Sequence, residues 1–100
     1  MMLTHVDHIA IESRDIKKSV TWYQNKFNCS IKYQDDTWAL LKFDNISIAL
    51  VTPGDHPPHF AVVDPNVTTD PNHKLHRDGI AFLYERDPDS NTIEKIDRKT

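Results

Sequence analysis

Apolar and polar positions alternate over residues 5 to 12, with Val6, His8, Ala10 and Glu12 on one side and Ile9 and Ile11 on the other. Alternation at period two with apolar residues on both sides predicts a strand buried on both faces. The period then changes. Ile16, Val20, Tyr23 and Phe27 recur at spacings of 4, 3 and 4, one stripe of an amphipathic helix, and Asp15 stands where an N-cap acceptor belongs. Asn28 suits a left-handed helix stop. The stripe is expected to pack on Ile9 and Ile11 as core and is assigned no chemistry.

Three strand-like runs follow, SIKYQ at 30 to 34, WALLKF at 38 to 43 and ISIALV at 46 to 51. Asp44 and Asn45 suit a two-residue hairpin with positive φ at its centre, which makes the last two runs antiparallel neighbours. TPGDHPP at 52 to 58 is a linker by composition, and HFAVV at 59 to 63 restarts a buried strand. Residues 64 to 75 contain Pro65 and Pro71 and little apolar content, so they read as a loop. GIAFLYERD and NTIEKID then form a last hairpin around DPDSN, where Pro88 fixes φ and the polar side chains fold back on the backbone. The chain reads as one α+β domain over residues 1 to 100. Its first half, strand, helix and three strands, covers 1 to 52, and a shorter second half covers 59 to 97.

Composition narrows the partners. With 38% hydrophobic and 27% charged residues and only 2 glycines in 100 residues, this is an ordinary folded domain rather than a disordered one. A chain this short buries a modest core, so a large cavity calls for a second subunit. The net charge of -3 gives no basic footprint for nucleic acid or an acidic membrane. MMLTHVDH lacks the features of a signal peptide and no run is long and apolar enough to span a bilayer, so a cytoplasmic location is expected. On that expectation the two Asn-X-Ser/Thr patterns, at Asn45 and Asn66, are not glycosylated. Cys29, the single cysteine, excludes an intrachain disulfide and has no His partner beside it.

The six histidines fall in pairs three apart: His5 and His8, His56 and His59, His73 and His76. In an extended chain residues three apart face opposite ways, and Pro57 and Pro58 exclude a helix between the middle pair. Each pair can therefore send one member into a shared cavity. His8, His59 and Glu94 each stand among apolar neighbours in a strand-like run. Two imidazoles and a carboxylate hold a divalent transition metal and leave positions open for water or substrate. The plain alternative is that they are hydrogen-bonded interior residues.

The motifs DHIAI, DIKKSVTWYQNKFN, HFAVV and RDPDSNTIEKI resemble the vicinal oxygen chelate superfamily, also called the glyoxalase, bleomycin resistance protein and extradiol dioxygenase superfamily. The resemblance covers residues 3 to 97 apart from 64 to 75. It implies a βαβββ module plus a shortened second module, a mixed curled sheet around a metal or ligand cavity, and His8, His59 and Glu94 as metal ligands. Relatives carry a second helix and a further strand where this chain has the 64 to 75 stretch. An exposed sheet edge would follow unless a partner covers it, and a homodimer is expected.

Other departures bear on chemistry. Ala49 stands where some glyoxalase-type members have another acidic ligand, which leaves three protein ligands and disfavours glyoxalase I itself. Tyr84 matches an active-site tyrosine of fosfomycin-resistance relatives. Ala10 stands where those relatives have a threonine, and the chain stops before their late arginine, which disfavours fosfomycin thiol transfer. Ser90 replaces a usual turn glycine, at a cost of about 1 kcal/mol if it takes positive φ.

The resulting expectation is a lyase or isomerase in which a divalent ion chelates two neighbouring oxygens of a small substrate. Glu12, on the His8 side of its strand, and Tyr84 are candidates for general base or acid. Lys74, His76 and Arg86 could meet an anionic group of the substrate, though solvated surface is the favoured reading of each. One rival is a metal-free sequestering protein of the bleomycin-resistance kind that uses Trp38, Tyr33 and Tyr84. Another is an extradiol dioxygenase with ferrous iron, ranked lower because the chain is very short for that chemistry and no histidine acid-base partner is evident beside the trio. Zn, Ni, Co, Mn and Fe all accept this ligand set.

Overall fold

The computed structural model describes residues 2 to 98. In chain order the elements are β1 (Val6–Glu12), α1 (Ile16–Lys26), β2 (Ser30–Gln34), β3 (Trp38–Lys42), β4 (Ser47–Val51), β5 (His59–Val63), the 3-10 turn η1 (Val67–Thr69), β6 (Lys74–Leu75), β7 (Ala81–Arg86) and β8 (Thr92–Ile96). The fold is α+β. It divides into two compact units, residues 8 to 58 and a second made of the residues up to Asp7 with those from His59 onward.

In the first unit the strands lie in the order β2-β3-β4-β1. β1 and β4 are parallel, and β3 is antiparallel to both β4 and β2. Register partners in a pleated sheet share a face. Ile11, Leu50, Ala39 and Leu41 therefore lie on one face, and α1 covers it with Ile16 and Val20 to form a buried cluster. Asp15 caps the helix, its Oδ1 accepting from the Lys18 N–H at 3.1 Å. The opposite face carries His8, Ala10, Ala49, Leu40, Val51 and Trp38, the last five packed together.

The second unit repeats this topology in shortened form, with strands in the order β5-β8-β7-β6. β5 and β8 are parallel, and β7 is antiparallel to both β8 and β6. Where the first unit has an 11-residue helix, the second has the three residues of η1, which bury Val67. Residues 64 to 75 are thus not the featureless loop their prolines suggest. Asp64 accepts from the Asn66 N–H and Asp70 from the Asn72 N–H, so side-chain oxygens close turns that a run of apolar residues would otherwise announce.

Three local expectations change. Among the described residues Ser90, at φ 67°, is the one non-glycine residue with positive φ. Asn28 therefore does not supply a left-handed stop; the helix ends at Phe27, extended at φ -135°, whose N–H bonds the Tyr23 carbonyl. Asp44 and Asn45 join antiparallel strands with Lys42 opposite Ser47, but without positive φ. Ile9 is 39% exposed and stands outside the helix cluster, so among the described residues the helix stripe packs on Ile11 rather than on both isoleucines.

Candidate functional site

The face of the second unit that holds Glu94 is built by register. Ala61 on β5 and Tyr84 on β7 are both opposite Glu94 on β8, His59 is opposite Thr92, and Phe82 is opposite Ile96. Odd positions of β5 and even positions of β7 and β8 therefore share one side. Glu94 is only 2% exposed, so its carboxylate needs partners within reach. Its partners include two imidazoles: His59 Nε2 lies 3.2 Å from Oε1, and His76 Nε2 lies 2.6 Å from Oε2. An ionised Glu94 carboxylate only accepts, and the shorter contact is then assigned as His76 Nε2–H donating to Oε2.

The aromatics fix this arrangement. Phe82 lies flat on His76, with ring centroids 3.7 Å apart and planes 6° apart. Tyr84 meets the edge of His59 at 5.4 Å and the edge of Phe82 at 5.4 Å. Burial, with the Glu94 charge second, pushes the Tyr84 phenol up, so it stays protonated across the ordinary pH range.

His76 is held by a tight turn. Gly79 donates to its carbonyl at 2.9 Å, its own N–H donates to the Ile80 carbonyl at 2.9 Å, and Asp78 Oδ1 accepts from the Ile80 N–H at 3.0 Å. Gly79 takes φ 85°, a conformation the absent Cβ permits. The spacing of the histidine pairs gives His76 no special place. The missed signal is Asp-Gly at 78 and 79, a hairpin dipeptide that folds residues 74 to 76 back on 80 to 82 and sends His76 to the side of Phe82. Of the third pair, His73 turns to the Asp70 carbonyl and His76 turns to Glu94.

His8 belongs to the first unit, where it is buried on β1 opposite Ser47 and shares a face with Ala10 and Ala49. The two units correspond strand for strand. His8 lies two residues before Ala10, which is opposite Ala49, and His59 lies two residues before Ala61, which is opposite Glu94. Ala49 therefore occupies in the first unit the position of Glu94 in the second, and the two histidines are likewise equivalent. Glu12 shares the His8 face but is exposed, four residues further on, a rise of about 13 Å along the strand. Lys74 and Arg86 fall by register on the Glu94 side of β6 and β7, both exposed.

Tyr33 and Trp38 stack at 4.4 Å on the His8 side of the first unit. Burial tends to raise the neighbouring Asp35 carboxyl, but hydrogen bonds from the Tyr33 hydroxyl, the Thr37 and Trp38 N–H groups and the Thr37 hydroxyl outweigh it and hold the pKa at about 2.

No protein-family model matches the chain, and no curated protein matches it. Solved structures do. A hypothetical protein of Bacillus halodurans C-125 is similar with TM-score 0.75 and 15% identity, over 99% of this chain and 97% of that one. A glyoxalase/bleomycin resistance protein/dioxygenase superfamily member from Vibrio splendidus 12B01 is similar with TM-score 0.69 and 13% identity, over 94% of this chain and 98% of that one. A variant of homoprotocatechuate 2,3-dioxygenase from B. fuscum matches 96% of this chain with TM-score 0.66 and 14% identity, and this chain spans 34% of its length. The chain has the vicinal oxygen chelate fold. Among the described residues, no helix is long and apolar enough to cross a membrane.

Proposed function

We propose that this chain is a metal-dependent enzyme of the glyoxalase type, a lyase or isomerase acting on a small substrate with two neighbouring oxygens. The observation that carries the reading is the Glu94 carboxylate, buried and faced by the His59 imidazole at 3.2 Å. A carboxylate kept from water beside an imidazole fits a divalent ion, because both are ligand types such ions take. The family resemblance adds His8, buried at the equivalent position of the other unit, as the third ligand. The chemistry a bound ion supplies is Lewis acidity toward two adjacent substrate oxygens. Zn, Ni, Co, Mn and Fe all suit the set.

The remaining roles fall to the chain's own groups. Tyr84, beside His59 and protonated, is the candidate acid that donates to a substrate oxygen. Glu12, exposed and further along its strand, is the weaker candidate for a base. Lys74 and Arg86, exposed on the Glu94 side, receive an anionic group of the substrate. A homodimer accompanies this reading, since β6 is a two-residue edge with Leu75 65% exposed.

A second reading, an extradiol dioxygenase with ferrous iron, gains from one observation. Two points stand against it, the shortness of the chain and the lack of a further histidine beside the trio, and His76, 2.6 Å from Glu94, bears on the second alone. The test is to strip the protein, reload it separately with Ni, Zn, Co, Mn and ferrous iron, and offer hemithioacetals, hydroxyketones and catechols. Chelator-sensitive isomerisation or elimination with one metal supports the first reading, and oxygen-dependent ring cleavage supports the second. Ligand binding that survives a chelator, without turnover, contradicts both and points to a sequestering protein.

A further inference from the structure

We infer that His76 is a positioning residue: it holds Oε2 of Glu94 so that the carboxylate offers only Oε1 to a metal ion, and the inference rests on the metal-site reading above.

The geometry is asymmetric in a way that suits this role. His59, one of the candidate ligands, faces Oε1, while His76 takes Oε2 with a hydrogen bond of 2.6 Å. A carboxylate free to turn can bind an ion through one oxygen or both. Once Oε2 accepts a hydrogen from His76, rotating to two-oxygen binding would break a charge-assisted bond in a buried place. Groups that hydrogen-bond to a metal ligand set its orientation, and their loss typically costs 10–100-fold in metal affinity.

The imidazole is itself restrained in each direction that matters. Phe82 lies parallel to its ring at 3.7 Å, so the ring plane is set by packing. The turn closed by Gly79 and Ile80 sets its backbone. The His76 side chain keeps 29% of its surface exposed, against 5% for His59, so it sits at the outer side of Glu94 and its replacement leaves the core of the unit intact. In the first unit Trp38 occupies the place of Phe82 and stacks on Tyr33, but Ala49 gives that half no carboxylate to hold. The device is confined to the half that carries the acid ligand.

The experiment is a cobalt(II) titration of metal-free protein, read by the visible d–d absorption and by calorimetry, for the wild type, His76→Ala, His76→Leu and His76→Gln. Folding of each is checked by circular dichroism. The Ala and Leu variants are expected to bind cobalt about 10–100-fold more weakly, with a changed absorption band as the second oxygen enters the coordination sphere. Gln places an amide donor near the position of Nε2 and is expected to recover most of the affinity and the wild-type band. Wild-type affinity and spectrum in either folded donor-free variant overturns the inference alone, and so does a Gln variant no better than Leu. Failure of the wild type to bind cobalt overturns both the inference and the metal-site reading.

Discussion

His59 Nε2 and Glu94 Oε1 lie 3.2 Å apart on adjacent parallel strands, with Ala61 rather than His59 directly opposite Glu94 in the register. The two-residue offset makes the contact diagonal across the sheet, and the imidazole leans along the strand to close it. Burying a charge here is favourable only if its partners are kept, because a lone carboxylate away from water is costly. Replacing Glu94 by Ala removes the acceptor of the His76 hydrogen bond and the carboxylate that faces His59. Glu94→Ala is expected to lower stability by about 1–3 kcal/mol, and Glu94→Gln by less, both measured by urea unfolding. Equal stability in all three proteins would deny the carboxylate any structural role.

Ser90 sits at φ 67° in the turn between β7 and β8, a conformation that strains any side chain with a Cβ. Asp87 holds that turn by accepting from the Asp89 and Asn91 N–H groups at 2.9 and 2.8 Å. Ser90→Gly relieves the strain, and about 0.5–1 kcal/mol of added stability is expected. Thermal unfolding checks it, the midpoint rising by a few degrees; an unchanged or lower midpoint would contradict it.

Asp35 titrates well below its ordinary value of 3.8, at about 2 in the fold. A depressed folded pKa means the group's contribution is complete above 3.8 and is lost as the pH falls through about 2. The group is near the surface, and solvent screening keeps the effect below about 1 kcal/mol. Asp35→Asn should therefore be less stable than wild type at pH 6, with the gap closing by pH 2. Urea midpoints at the two pH values measure it, and a gap independent of pH would remove the linkage.

Leu41 has no exposed surface and lies in the cluster under α1 with Ile16, Val20, Ala39 and Leu50. Leu41→Ala opens a cavity that this small cluster fills poorly, and a loss of about 2–5 kcal/mol is expected by denaturant unfolding. A loss under about 1 kcal/mol would mean that the cluster collapses around the smaller side chain.

Much of the fold was legible because period-two and period-3.6 patterns announce themselves where one face is buried. β1, α1 with its Asp15 cap, and the β7–β8 hairpin came from such patterns. η1 and β6 were not legible, since turns closed by Asp64 and Asp70 and a two-residue strand have no periodicity to read. Of the site, Glu94 and His59 lay on strands whose parity could be counted, and the structure places them in contact. The place of His76 is not legible in the spacing of the histidines, because its direction is set by the turn at Gly79 and not by its distance from His73.

The most direct test is the metal content of the purified, untagged protein by plasma mass spectrometry, beside His8→Ala, His59→Ala and Glu94→Ala prepared identically and shown to be folded. The account predicts about one equivalent of a divalent transition metal per wild-type chain and a loss in each variant. A wild-type protein that stays metal-free after incubation with Ni, Zn, Co, Mn or ferrous iron would contradict it, as would variants that keep the full equivalent.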